Sequence, residues 1–245
     1  PFRMDQTTIN GMADISWIGD EATLSDPLKS LRDLAERFAG KAVFSTSFSI
    51  EDQAITHLIF AHHIPIRVFT LDTGRLFPET YSTWSRTIEK YQAPIDVYYP
   101  EASDLEPFLR EKGPNSFYDS VENRMECCHI RKVLPLRRAV AGQKLWVTGI
   151  RAEHSPNRTG MTQVEWDGTN QLYKFHPLLH WTIDEVKAFV KEHQVPVNPL
   201  HDKGFVSIGC APCTRAIKPG EDFRAGRWWW EDATKKECGL HVHNS

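Results

Sequence analysis

The alternation of strand-like and helix-like segments predicts an α/β fold for this 245-residue chain, with a parallel sheet and helices on both of its faces. Three observations carry that expectation. Helix and strand patterns follow one another from about residue 23 to about residue 193. Turns rich in serine, threonine and glycine follow several strand candidates, at the strand ends where ligands bind in such sheets. Past about residue 205 the regular alternation stops, and a cysteine-bearing loop and a tail follow.

Residues 23–39, TLSDPLKSLRDLAERFA, read as the first helix. Ser25 or Asp26 can cap it, and Pro27 suits its first turn. Leu28, Leu31, Leu34, Ala35 and Phe38 share one face, and Gly40 ends the helix. KAVFS (41–45) is a short buried strand and DQAITHLIFAH (52–62) the next helix. IRVFTLD (66–72), PETYSTWSRTIEKY (78–91) and IDVYYP (95–100) continue as strand, helix and strand. A basic helix around 128–140 precedes the strand KLWVTGI (144–150), and WTIDEVKAFVKEH (181–193) is a late helix.

Hydrophobic residues are 40% and charged residues 25% of the chain, as in an ordinary globular protein. A formal net charge of −3 argues against a general nucleic-acid binder but leaves room for a local basic pocket. No stretch approaches the ~18 consecutive apolar residues of a membrane span. The first residues, PFRMDQTTINGMADISW, hold no apolar signal core. The expectation is a cytoplasmic protein with no membrane or nucleic-acid partner. A single α/β domain is expected over 1–225, opening with a helical segment at 1–40, followed by a mobile tail over 226–245.

The strand ends carry anion-friendly chemistry. After the first strand comes Ser45-Thr46-Ser47-Phe48-Ser49-Ile50-Glu51-Asp52-Gln53, hydroxyls and free amides at a helix start. It matches neither the P-loop nor the dinucleotide glycine pattern, and a plain serine cap reads as well from these residues alone. After the second strand, Leu71-Asp72-Thr73-Gly74 would let a flat base approach the backbone, or form an ordinary turn. After the fourth, Thr148-Gly149-Ile150-Arg151 adds a guanidinium suited to oxyanions.

Five cysteines are an odd number for a secreted disulfide framework. Cys127 and Cys128 are adjacent, Cys210-Ala-Pro-Cys213 is a C-x-x-C pair, and Cys238 stands alone in KKECGLHVHNS. Four thiolates suit zinc or a 4Fe–4S cluster. Adjacent side chains on a helix diverge by roughly 100°, so two neighbouring cysteines reach one centre only through a local distortion. A cubane, with separate irons, fits that pair better than one zinc ion, while burial as plain apolar residues stays open. Lys132, four residues after Cys128, shares its helix face. Arg224 and Arg227, three apart, can clamp a doubly charged oxyanion, and Trp228-Trp229-Trp230 read as packing of the tail.

GCAPCTRAIKPGEDFRAGRWWWED followed by KKECGLH resembles the C-terminal signature of the sulfonucleotide reductases. STSFSIEDQ is similar to their modified phosphate loop, and LDTGRLFPETY and TGIRAEHSPNR also match the pattern, so the resemblance spans roughly residues 40–241. It implies a Rossmann-like, adenine nucleotide α-hydrolase-like sheet. It further implies reduction of adenosine 5′-phosphosulfate to sulfite and AMP in assimilatory sulfate reduction and cysteine biosynthesis, with thioredoxin as donor and a homo-oligomeric state. The full set Cys127, Cys128, Cys210 and Cys213 implies a 4Fe–4S cluster and preference for adenylylsulfate over its 3′-phosphorylated form. The resemblance makes Cys238 the nucleophile, on a tail that closes over substrate and reopens. Ser45, Ser47, Ser49, Glu51, Asp52 and Gln53 then hold phosphate or ribose, Leu71, Thr73 and Gly74 face adenine, and Gly149 and Arg151 line the nucleotide floor. Lys132, Arg224, Arg227 and His241 surround the phosphosulfate. Three other readings stand beside it: a reductase of the same family using the 3′-phosphorylated nucleotide, an adenylating enzyme of the ATP-pyrophosphatase class, and a non-enzymatic zinc or iron–sulfur nucleotide sensor.

Overall fold

The computed structural model describes residues 24–154 and 160–232. Its sheet contains β1 (Ala42–Ser45), β2 (Arg67–Leu71), β3 (Asp96–Tyr98), β4 (Leu145–Val147), β5 (Val164–Asp167) and β6 (Leu172–Phe175). The spatial order is β3-β2-β1-β4-β6-β5. Every neighbouring pair is parallel except β5 with β6. The helices are α1 (Pro27–Arg37), α2 (Ile50–Ala61), α3 (Pro78–Tyr91), α4 (Ala102–Lys112), α5 (Val121–Cys128), α6 (Leu134–Val140) and α7 (Ile183–Glu192). The expected parallel α/β sheet is present. Helix α4 and the antiparallel β5–β6 edge are additions to it.

Strand alternation explains why helices cover both faces. Ala42, Phe44, Val68, Leu145 and Val147 point into one core with Leu31, Leu34, Ile55 and Val186. Val43, Phe69 and Trp146 point the other way, against Leu136, Ala139 and Val140 of α6. Helix α1 starts where the sequence places it. Asp26 caps it, accepting from the backbone N–H of Leu28 and Lys29, and Pro27 occupies its first turn. Thr182 and Glu185 form a reciprocal capping box on α7. No described helix is long and apolar enough to cross a membrane.

The far end of the sheet, away from the strand carboxyl ends, carries a histidine cluster. His57 of α2 is 9% exposed, stacks on His193 at 4.6 Å, and its Nδ1 lies 2.8 Å from the Tyr91 hydroxyl. Burial, with His193, Lys90 and His62 nearby, lowers its pKa from 6.5 to about 4. His201 is lowered too, chiefly by burial. Between those two pH values the unfolded chain binds protons that folded His57 refuses, so the His57 contribution to stability falls as pH drops through that window. Between pH 7 and pH 4.5 the midpoint of urea unfolding should change less favourably in the wild type than in His57→Leu, the opposing contribution of buried Asp52 being common to both. An equal change in the two proteins would exclude that contribution from His57.

Candidate active site

Strand β1 is flanked by β2 on one side and β4 on the other, so the chain winds outward in both directions from this point. Such switch points leave a crevice at the strand carboxyl ends. There the structure has a cavity of about 280 Å³, close to the ~300 Å³ at which small-molecule pockets begin. The segments after β1, β2 and β4 line it together with residues 206–210 and 223–228.

The loop after β1 is built around one carboxylate. Ser47 donates both its backbone N–H, at 2.6 Å, and its hydroxyl, at 2.7 Å, to Asp52 Oδ2. Ser49 caps α2 by accepting from the Asp52 N–H. Burial raises the Asp52 pKa from 3.8 to about 6, against the lowering effect of the Ser47 hydrogen bonds. Phe48 adopts φ 60, a left-handed conformation that costs a bulky residue energy. Its ring, 1% exposed, is held by stacking on Trp84 at 5.5 Å. Elsewhere such loops use glycine for this turn; here packing supplies it.

Gly149 meets this loop from β4. A Cβ built there would lie inside contact distance of Asp52 Oδ1. Gly149→Ala must push the carboxylate away and break its bonds to Ser47. We expect a stability loss of about 1–3 kcal/mol, read as a lower denaturant midpoint. Unchanged stability would show that the loop gives way at no cost.

Of the residues singled out in the sequence, Ser45, Ser47, Ser49, Glu51, Asp52, Leu71, Thr73, Lys132, Gly149, Arg224 and Arg227 line the cavity. Gln53, Gly74 and Arg151 sit behind it. Gln53 is fully buried and ties Thr87 to the Pro196 carbonyl. Gly74 donates its N–H to Asp72 Oδ1 with φ 73. Arg151, 1% exposed, is paired with Glu51 at 3.0 Å and with Glu153. Cys238 and His241 lie outside the described residues. Sequence reading passed over Ser207 and Ile208, and gave no role to Thr46, Thr148 and Gly209 within the stretches it singled out; all five line the cavity. Their one signal was position, beside strand ends or beside the C-x-x-C pair. The Arg227 guanidinium lies against Gly209, where a Cβ would have to displace it.

A second, smaller cavity adjoins the first. Cys127, Cys128, Cys210 and Cys213 line it with Arg75, Phe117, Arg124, Arg131, Lys132 and Trp228. The local distortion that adjacent cysteines require is a π turn, His129–Val133, entered directly from Cys128. Such turns recur at functional sites. This one sends Arg131 to the Thr73 carbonyl at 2.6 Å and places Lys132 on both cavities. Burial pushes the Cys127 thiol up and, with Cys210, pushes Cys213 up to about 12. Cys210 Sγ lies 3.2 Å from Thr73 Oγ1, a direct tie between the cavities.

Among the described residues, no group of three or more histidine, cysteine or acidic side chains forms a site for a single metal ion. The four cysteines nevertheless line one cavity, and among the described residues the buried Trp228 Nε1 and Arg131 Nε have no hydrogen-bond partner. That donor set suits a group larger than one ion, with sulfur or oxygen atoms to accept those N–H groups.

Above the thiols the chain packs through residue 231. Trp228, 0% exposed and with φ 41, is sandwiched between Arg124 at 4.6 Å and Arg227 at 4.7 Å. Arg124 also grips Glu231 with two hydrogen bonds, of 2.9 and 2.8 Å. Both partners are buried, at 2% and 3% side-chain exposure.

A switch-point cavity lined by hydroxyls, a capped helix start and basic side chains defines an adenine nucleotide α-hydrolase-like α/β protein. Solved structures agree. The FMN adenylyltransferase of Candida glabrata superposes with a TM-score of 0.55 at 16% identity, covering 95% of this chain and 81% of that one. The phosphoadenylyl-sulfate reductase of Candida auris, solved as a phosphate complex, superposes with a TM-score of 0.63 at 25% identity, covering 81% and 98%. The chain belongs to the phosphoadenosine phosphosulfate reductase family, whose domain matches residues 41–216. It is 48% identical to the adenosine 5′-phosphosulfate reductase of Agrobacterium fabrum over 91% of this chain and 88% of that protein. With the enzyme of that name from Allochromatium vinosum it shares 51% over 81% of this chain and 78% of that one.

Proposed function

We propose that this protein reduces adenosine 5′-phosphosulfate to sulfite and AMP. One observation carries the reading: the oxyanion cavity and the four-thiol cavity share Lys132, Cys210 and Trp228. A nucleotide in the first would therefore present its terminal group beside the second. The names of the relatives support the choice of nucleotide.

Cys238 is the nucleophile in this reading. Its thiolate attacks the sulfur of the bound sulfate; an S–S bond forms as the bond from sulfur to the phosphate oxygen breaks. AMP leaves with that electron pair, and an S-sulfocysteine remains. A donor dithiol of the thioredoxin type then attacks Cys238 Sγ. Sulfite departs with the S–S electrons, and the second donor thiol frees Cys238 as the donor becomes a disulfide. Lys132, Arg224 and Arg227 stabilise charge moving onto the departing phosphate. Lys235, Lys236 and His241 favour the thiolate. Cys127, Cys128, Cys210 and Cys213 would hold a 4Fe–4S cluster. When bound, it supplies a charged anchor for the π turn that carries Lys132.

The test is intact-mass analysis of reduced, anaerobically purified protein incubated with adenosine 5′-phosphosulfate and no thiol donor. One sulfo adduct on Cys238, released as sulfite by thioredoxin, is expected. The same incubation with the 3′-phosphorylated nucleotide distinguishes the two substrates. No adduct with either would favour the sensor reading.

A further inference from the structure

Behind the cavity wall, three side chains form a line that the reduction chemistry does not use. Thr148, just past β4, lines the cavity and is 2% exposed. Its Oγ1 lies 2.6 Å from Nδ1 of His176, which is 0% exposed. On the other side of the ring, Nε2 lies 3.4 Å from Glu165 Oε2. A carboxylate only accepts, so in a neutral ring this contact favours the tautomer with its proton on Nε2. Nδ1 is then an acceptor, and the hydroxyl of Thr148 has one proton to give it. Its oxygen has two lone pairs; the N–H of Ile150, at 3.4 Å, occupies at most one, so one is left to accept.

We propose that His176, held by Glu165, is a positioning residue. It locks the Thr148 hydroxyl as an acceptor for a neutral donor on the nucleoside, either a ribose hydroxyl or the exocyclic amine of the base. Thr148 thereby determines specificity. A neutral N–H or O–H is welcome there, and an oxyanion meets a lone pair that cannot turn away. The assignment rests on the nucleotide reading of the cavity and deepens it.

Calorimetric titration separates the two donors without any redox step. The ligands are AMP, 2′-deoxy-AMP, 3′-deoxy-AMP and purine riboside 5′-monophosphate, which lacks the amine. In the wild type one of the three analogues should bind about tenfold more weakly than AMP, the effect of leaving a buried acceptor unpaired. Thr148→Val should abolish that difference and Thr148→Ser should retain it. In His176→Phe the hydroxyl is free to rotate, and the difference should shrink by about threefold. The nitrogen NMR signals of His176 should show a protonated Nε2 and a bare Nδ1. The opposite tautomer, a full penalty persisting in Thr148→Val, or no penalty for any analogue in the wild type would each overturn the assignment. If the wild type binds AMP with no such penalty, the assignment alone fails. If it binds no AMP, the nucleotide reading falls, and the assignment falls with it.

Discussion

A Cys238→Ser protein should bind nucleotide as the wild type does and turn none of it over. Serine keeps the shape of the side chain. Its hydroxyl is a far weaker nucleophile toward sulfur, and the S–O ester it would form offers no sulfur for a donor thiol to attack. Turnover should fall by at least about 10⁴-fold, in the range seen when an enzyme loses its nucleophile. AMP affinity should stay within about twofold, because the groups proposed to hold AMP lie in the strand-end segments that line the cavity. The two measurements together are decisive. A residual rate within about a hundredfold of wild type would assign the chemistry to another group. Loss of AMP binding would show that residue 238 acts in recognition instead.

The second large effect concerns the grip of Arg124 on Glu231. Two charges have been taken out of water, at 2% and 3% side-chain exposure, and each offsets part of the other's desolvation cost. Glu231→Ala should remove both hydrogen bonds that the carboxylate gives the buried Arg124 guanidinium and cost about 3–5 kcal/mol. Arg124→Leu strands the carboxylate and should cost as much, with the cation–π contact to Trp228 lost in addition. The double variant Arg124→Leu, Glu231→Leu should be much milder than the sum of the single changes, since no orphan charge remains. Denaturant unfolding of the four proteins closes the cycle. Additive effects would mean that the two charges do not stabilise each other.

Much of this architecture was legible because local rules and the tertiary structure agree. Asp26 and Pro27 begin a helix by their own chemistry, and β1, β2 and β4 announce themselves as apolar runs between turn residues. Helix α4 was hidden by Pro107 within it and by a single buried residue, Phe108, so no apolar stripe betrays it. The β5–β6 hairpin was hidden differently. Its paired Glu165 and Lys174 look like surface residues, whereas Lys174 is buried against Asp167 and the Trp146 ring. At the site, the serines and Gly149 showed because strand ends are predictable places. A guanidinium near a strand end reads the same in sequence whether it faces a ligand or, as Arg151 does, Glu51. The adjacency of Cys127 and Cys128 required a distorted helix, and only the structure shows that the distortion is a π turn. Pairings across the chain, such as Arg124 with Glu231, leave no trace in either local segment.

That pairing also orders events in time. Its partners are 107 positions apart, and the two halves of the thiol set are separated by most of that distance. The early strands can close on one another soon after they are made, because their connections are short. The second cavity is not complete until Trp228, which lines it, has been synthesised and folded back beside α5. Until then Cys127 and Cys128 face water beside a half-built wall. Any inserted metal group therefore arrives late, onto a protein whose sheet is already formed, and the thiols most exposed to oxidants are those of a chain still growing.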